Sequence, residues 1–438
     1  MKTNTLLFFD FKSILRIIVF ILIISVPFLV EAQTLDYARE VVNTLASDEF
    51  KGRGYVENGD QLAADYIRNE FKKFGLKSYS NDYYQEFETS VNTFPNTIKV
   101  SVNGKKLRAG KDFLLEPGSG SLKGSFDIIS VTADEILDNA KFVNKLRVSS
   151  GAFMVVQPFD KTEFSKEQNE QINGVIQFLK HHPQNPAKGT VVLTTEKLSW
   201  GGSVQEFLKP TLIINKDSLT APIKLLKVDI RNKFIKEYKT QNVIGYVEGE
   251  SSDSTIVFIA HYDHLGMLGP NAVFNGANDN ASGTAMLLSL AKHYSENKPE
   301  FNTVFIAFGA EELGLIGSKY FTENPLFDLS SIKFLVNFDL AGTGEDGVQV
   351  VNGSVYKDKF DLLTEINQQN NLVPDVKIRG AACNSDHCMF AQKEVPGFYI
   401  YTLGGIKAYH DIYDRPETLP LTEFEDYFNL IVEFIDQL

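Results

Sequence analysis

The chain has 438 residues, 43% apolar and 12% aromatic, which is ample for a sizeable core in one large domain or two. Its 43 Lys and Arg against 56 Asp and Glu leave a net charge of −13, and no Lys/Arg cluster is interleaved with aromatics, so nucleic acid is excluded as a partner. The two cysteines, Cys383 and Cys388, lack the second pair that a cysteine-built metal site would need.

Lys2, Lys12 and Arg16 precede or border a 14-residue, mainly apolar run from Ile17 to Val30, and Val30-Glu31-Ala32 supplies a small-x-small cleavage site. This pattern predicts a secretory signal peptide over residues 1–32. The run is shorter than the roughly 20 residues of a membrane helix, so no stable membrane span is expected after cleavage. The expectation is export, to a periplasm or the outside. In such an oxidising compartment, Cys383 and Cys388 of Cys-Asn-Ser-Asp-His-Cys are placed to close a small disulfide loop.

Helical spacing of Ala38, Val41, Val42 and Leu45, and again of Ala63, Ala64, Ile67, Phe71 and Phe74, predicts two helices between Leu35 and Leu76. Phe50-Lys51-Gly52-Arg53-Gly54 reads as the turn between them, and an extended segment follows at Tyr83–Phe87. From 93 to 225 short strand-like runs (Thr97–Val102, Phe126–Val131, Thr190–Leu193, Thr211–Ile214) alternate with turns, and one helix is expected around Phe164–Leu179. After Asn242 strands and helices alternate regularly. Strands are predicted at 243–247, 255–260, 302–308, 332–338, 348–351 and 397–402, and helices at 281–295, 313–323, 357–369 and 423–438. The expected fold is α/β: a mixed, centrally parallel sheet with helices on both faces, formed by 33–92 and 226–438. Residues 93–225 form an inserted mixed or mostly β module.

Acids and imidazoles gather where the predicted strands end. His261 and Asp263 follow Ile256–Ala260, and Asp279 precedes a helix. Glu311-Glu312 follow Phe305–Phe308, Asp339 follows Phe338, and His410 follows the strand Phe398–Thr402. In open α/β sheets that edge is where ligands bind. Counting one of the two glutamates, five candidate ligands result: His261, Asp279, Asp339, His410 and a glutamate. Mixed imidazole and carboxylate ligation suits zinc, with manganese or cobalt as substitutes. Five ligands suit two ions about 3.5–4 Å apart, sharing a carboxylate and a water. Asp279 lies between the first histidine and the acidic pair, as a shared ligand should, and the remaining glutamate is a candidate general base.

Each residue alone has a plainer explanation. Asp279 could cap a helix, and the two glutamates could be first-turn acids. Five such coincidences on one sheet edge are the harder account. Gly342-Thr343-Gly344-Glu345-Asp346-Gly347 fits the dinucleotide-binding pattern, but a strand rather than a helix is predicted after it, and no G-x-S-x-G elbow occurs. His264 receives no assigned role. Asp386 and His387 read as pocket-wall or supporting residues.

Six stretches, AHYDHLG (260–266), GANDNASG (276–283), GAEELGLIGS (309–318), NFDLAG (337–342), SDH (385–387) and YHDIYD (409–414), resemble those of the M28 family of zinc metallopeptidases, in family order. The resemblance covers about 240–438, and Leu45–Gly54 is similar to the usual start of such enzymes. It implies His261 and Asp339 on one zinc, Glu312 and His410 on a second, and Asp279 shared between the two. It further implies Glu311 as general base, Asp263 as the carboxylate orienting His261, and Tyr409 helping to polarise the scissile carbonyl. The inserted module resembles a protease-associated domain at Lys209–Ile214. The implied activity is that of a two-zinc exopeptidase, an aminopeptidase acting on peptides with a free N-terminus. The rivals are a carboxypeptidase-like enzyme, a single-zinc glutaminyl cyclase, and a non-catalytic binding protein that kept the fold.

Overall fold

A computed structural model describes residues 34–80 and 82–438. The expected signal peptide, 1–32, lies outside the described residues. Among the described residues no helix is long and apolar enough to cross a membrane.

Strand Ser251–His261 is the middle of the architecture. Its run Ile256–Ala260 is almost wholly excluded from solvent, and its side chains alternate between two cores. Ile256, Phe258 and Ala260 enter the larger one; Val257 and Ile259 enter the other. That period of two is what a pleated strand dictates, and an unbroken apolar run is what a strand covered on both faces requires. On the first face lie helix 34–45, Gly59–Lys73, Gly283–Glu296 and Phe424–Asp436, and on the second Phe321 and Phe390 pack from shorter helices. The last helix buries Phe424, Tyr427, Phe428, Leu430, Ile431, Phe434 and Ile435, the three-and-four spacing of an amphipathic face.

The sheet has eight strands in the order Tyr84–Thr93, Lys233–Val247, Phe301–Phe308, Ser251–His261, Ile332–Phe338, Gly397–Thr402, Val348–Val351, Val376–Ile378. The four central strands, from Phe301–Phe308 to Gly397–Thr402, are mutually parallel, and antiparallel pairs flank them. This is the mixed, centrally parallel α/β sheet expected from the sequence. Its parallel strands all end at one edge, with His261 level with Phe308.

The chain leaves this sheet along Tyr84–Thr93 and returns along Lys233–Val247, the two strands pairing antiparallel from Tyr84↔Val243 to Thr93↔Lys233. Between them a second sheet forms, in the order Lys105–Leu107, Lys99–Val102, Leu225–Ile230, Leu122–Val131, Phe153–Val156, Gly189–Thr194, Thr211–Asn215, Phe113–Leu115. Leu225–Ile230 belongs to it, so this unit runs past residue 225. Its centre is parallel, with helices Ala133–Leu137, Asn139–Val148 and Lys166–His181 as crossovers. Only the last of these helices is predicted from periodicity. The first two are short, and their legible signals are caps: Thr132 and Glu135 form a capping box, and Asp138 accepts from the Lys141 amide. Phe94 and Trp200 meet Leu265, Leu268 and Phe274 of the main domain in one shared core.

Phe258 is fully buried and stacks on Phe305, Tyr294 and Phe338. Phe258→Ala is expected to lower unfolding stability by about 3–5 kcal/mol in urea titration. Leu208→Ala, at a residue 77% exposed, is expected to stay within about 0.5 kcal/mol of the parent.

Candidate metal centre

The structure brings His261, Asp279, Glu311, Glu312, Asp339 and His410 to one cavity of about 470 Å³ at the edge where the parallel strands end. His261 Nε2 lies 3.5 Å from Asp279 Oδ1 and 3.5 Å from Asp339 Oδ1. On the other side His410 Nε2 lies 3.0 Å from Asp279 Oδ2 and 3.3 Å from Glu312 Oε2. Asp279 thus offers one oxygen to each histidine–carboxylate pair. Atoms sharing a tetrahedral zinc at about 2.0–2.2 Å lie about 3.4 Å apart, so these gaps match a common ion. Among the described residues two overlapping sets of donor atoms are close enough to hold an ion, His261–Asp279–Asp339 and His264–Asp279–Glu312.

The ring tautomers follow from the partners at the far nitrogens. His261 Nδ1 lies 3.1 Å from the Asp263 carbonyl, and His410 Nδ1 lies 2.9 Å from the Trp200 carbonyl. An N–H donated to each carbonyl leaves each Nε2 lone pair facing the carboxylates, the form in which imidazole binds metal.

Charge gives an independent test of fit. Asp279, Glu311, Glu312 and Asp339 crowd around one cavity with Asp279 and Asp339 almost wholly buried, and isolated buried charges of one sign are costly. Burial pushes the Glu311 carboxyl well above its ordinary range, and the neighbouring Asp386, Glu312 and Asp339 push it the same way, against His261. Burial opposes charge on His410, yet the carboxylates of Asp279 and Glu312, 3.0 and 3.3 Å from its Nε2, carry its pKa up to about 11. Burial likewise opposes charge on His261, but Glu311, Asp339 and Asp279 hold it well above the usual imidazole value. Without a cation the cluster keeps protons on its imidazoles; a bound dication takes their place. Asp279 Oδ2 is buried with no well-aligned hydrogen bond although His410 Nε2 stands 3.0 Å away, as when both atoms aim at a common point. The residues fit a metal.

Asp263 does its work differently from the arrangement expected for it. Its carboxylate is 3.9 Å from His261 Nδ1, too far for a hydrogen bond. It accepts instead from the amides of Glu311 and Glu312, at 3.0 and 3.3 Å, and from the Tyr55 hydroxyl at 2.8 Å. Asp263 therefore orients His261 through its carbonyl, while its side chain fixes the backbone of the acidic pair. Asp414 holds the Asp279 loop in the same manner, accepting from the amides of Asn278 and Asp279.

His264 has a place the sequence reading did not give it. It is fully buried, and its Nδ1 lies 2.7 Å from Glu312 Oε1, so it holds the oxygen of Glu312 that faces away from His410. Gly276 makes room for it. A Cβ there would fall 2.4 Å from the His264 ring and 2.1 Å from the Asp279 carbonyl, at a φ of +59°. The legible signal was position, since His264 follows the same strand end as His261.

Tyr409 lines the cavity, 46% exposed, with its ring stacked on His410 at 4.0 Å between centroids. Leu340, Tyr399, Tyr401 and Cys383, which is disulfide-bonded to Cys388, also line it. Asp386 is buried behind Glu311, and burial pushes its carboxyl up to about 7. Ala310, Leu315, Leu340 and His410 all have positive φ, a strain of about 1–3 kcal/mol each that recurs at functional sites. A larger cavity of 870 Å³ lies in the second sheet's unit, around Phe159, Asp160 and Lys161, away from this cluster.

Residues 242–435 match the model of peptidase family M28. Aminopeptidase YwaD of Bacillus subtilis (strain 168) is 27% identical over 276 residues, 62% of this chain and 57% of its own length. A probable leucine aminopeptidase 2 of Trichophyton verrucosum is 33% identical over 321 residues, 69% of this chain, and again the chain spans only 57% of the relative's length. Among solved structures, BSAP, a zinc aminopeptidase from Bacillus subtilis, shares the fold with a TM-score of 0.65 at 18% identity, over 92% of this chain and 94% of that one. A peptidase M28 precursor from Shewanella amazonensis SB2B gives 0.66 at 16% identity, over 93% and 96%.

Arg53 is fully buried and donates to five carbonyls, those of Tyr262 (2.8 Å), Leu45 (3.0 Å), Asn275 (2.6 Å), Gly276 (2.7 Å) and Asp279 (3.1 Å). Lysine has three donors, so Arg53→Lys leaves at least two of these carbonyls unpaired, at about 1–3 kcal/mol each. A loss of about 2–6 kcal/mol in urea-monitored stability is expected.

Proposed function

We propose that this chain is an exported aminopeptidase that works with two zinc ions, for which manganese or cobalt can substitute. The observation that carries the reading is the division of Asp279, one oxygen toward His261 and Asp339, the other toward His410 and Glu312. His261 and Asp339 would hold one ion, Glu312 and His410 the other, and Asp279 both. Zinc there would polarise a peptide carbonyl and acidify a water.

The protein's own groups do the rest. Glu311 stands in the same cavity, is not needed as a ligand, and its buried carboxyl has a raised pKa. It takes the proton from the attacking water and returns it to the leaving amine. Tyr409, which lines the same cavity, would donate from its hydroxyl toward the scissile carbonyl. Export is supported by the signal-peptide pattern of residues 1–32 and by the Cys383–Cys388 disulfide, a bond of oxidising compartments. The second sheet's unit is read as an insertion into the peptidase domain.

Glu311→Gln is expected to keep both zinc ions, counted by atomic absorption, and to lose at least about 10²-fold in kcat. Near-parent turnover in that variant would refute the base assignment. Short peptides followed by mass should lose single N-terminal residues, and acetylation of the N-terminus should block this. Loss from the other end would make the enzyme a carboxypeptidase, and one zinc with cyclised N-terminal glutamine would make it a glutaminyl cyclase.

A further inference from the structure

The second sheet's unit reaches the metal centre through one short segment, Lys197–Gly202. The Trp200 peptide pairs with His410 in both directions: its amide donates to the His410 carbonyl at 2.9 Å, and its carbonyl lies 2.9 Å from His410 Nδ1. Trp200 itself is anchored, 8% exposed, with its indole N–H on the Leu115 carbonyl at 2.8 Å and its ring against Phe274. Two residues on, Gly202 lies against the acidic pair. A Cβ there would come within 2.8 Å of the Glu312 carbonyl.

Lys197 ties down the rest of the His410 loop. Its ammonium contacts the carbonyls of Lys407 at 2.8 Å and Tyr409 at 3.0 Å and the Asp411 carboxylate at 2.7 Å. An ammonium has three protons, and here all three have acceptors on one short stretch, residues 407–411. Asp411 is almost fully buried and also accepts from the Tyr413 amide. An ordinary surface ion pair contributes little, but this cation closes three bonds across two units onto a loop whose His410 has φ +53°.

We propose that the inserted unit completes the metal centre, with Lys197 as a positioning residue for His410. The role of His410 as a ligand of the second zinc rests on the reading given above. Side chains that hold a ligand in place typically change metal affinity by about 10–100-fold. The inserted unit is then part of the site, since its removal would free His410.

The test compares Lys197→Met with the parent, and with Lys227→Met on strand Leu225–Ile230 as control. Zinc affinity is measured by chelator competition on the full chain, and amide hydrogen exchange of peptides covering 403–412 is followed in the metal-free protein. Lys197→Met should weaken one of two zinc ions about tenfold, leave the other at the parent value, and speed exchange in 403–412. Asp411→Asn should do the same in smaller measure, and serves as the second variant if Lys197→Met folds poorly. Parent-like affinity and exchange, or equal weakening of both ions, would overturn the proposal. A parent chain that takes up fewer than two zinc ions refutes the two-zinc reading instead, and the exchange result then decides the proposal by itself.

Discussion

The guanidinium of Arg53 has five N–H groups, and each is taken by a main-chain carbonyl in a place water does not reach. Those carbonyls belong to Leu45, at the end of the first helix, and to Tyr262, Asn275, Gly276 and Asp279, the two ends of the long loop between His261 and Asp279. One planar group therefore clamps the N-terminal segment to both ends of the loop that separates two of the proposed ligands. Burial lowers its pKa to about 10, opposed by the nearby Asp279, Asp414, Asp263 and Glu312. It stays charged at any physiological pH and is the fixed positive charge within an acidic cluster. Removing it would leave the carbonyls unpaired and the acids less compensated, so the clamp and the electrostatics depend on the same atoms.

With that frame in place, the backbone does most of the positioning. Asp263 grips the amides of Glu311 and Glu312, Asp414 those of Asn278 and Asp279, and Asn280 the amides of Gly283 and Leu340. Side chains of the proposed ligands are held as well: main-chain carbonyls face Nδ1 of His261 and of His410, His264 lies 2.7 Å from Glu312 Oε1, and Ser385 donates to Asp339 Oδ2 while accepting from Asn337. Side chains that hold backbone in this way transmit less of their own motion than long flexible ion pairs would. Precise placement by packed, hydrogen-bonded neighbours is what a multi-ligand metal site demands.

Legibility in the sequence followed burial. Strands Ile332–Phe338, Val348–Val351 and Gly397–Thr402 have the bounds that their apolar runs predict, because buried apolar residues dominate each of them and Lys333, Asn337 and Gln349 interrupt the runs only singly. Strand Lys233–Val247 is ten residues longer than its apolar part, since its first half forms a solvated ribbon of mixed residues with Tyr84–Thr93. The proposed ligands were visible because each follows a strand end or precedes a helix on one edge. Arg53 read only as part of a turn, for its partners are carbonyls, which carry no sequence signature. His264 was invisible as a support of Glu312 because that contact spans 48 residues, and Trp200 and Lys197 reach the His410 loop across more than 200.

The topology accounts for why an insertion could come to serve the site. The ribbon of Tyr84–Thr93 and Lys233–Val247 joins the main sheet beside Phe301–Phe308, the strand that leads directly to Glu311 and Glu312. An insertion on that ribbon therefore starts close to the acidic pair, and its shared core with Leu265, Leu268 and Phe274 fixes it against the His261–Asp279 loop. From there the segment carrying Trp200 needs to cover only the short gap to His410, whose loop follows Gly397–Thr402 two strands from Ser251–His261. The main domain supplies His261, Asp279, Glu312 and Asp339 with supports of its own, whereas the far nitrogen of His410 finds its partner in the inserted unit. A fold that recruits an insertion at this point gains a rigid acceptor for the one imidazole its own strands leave least supported.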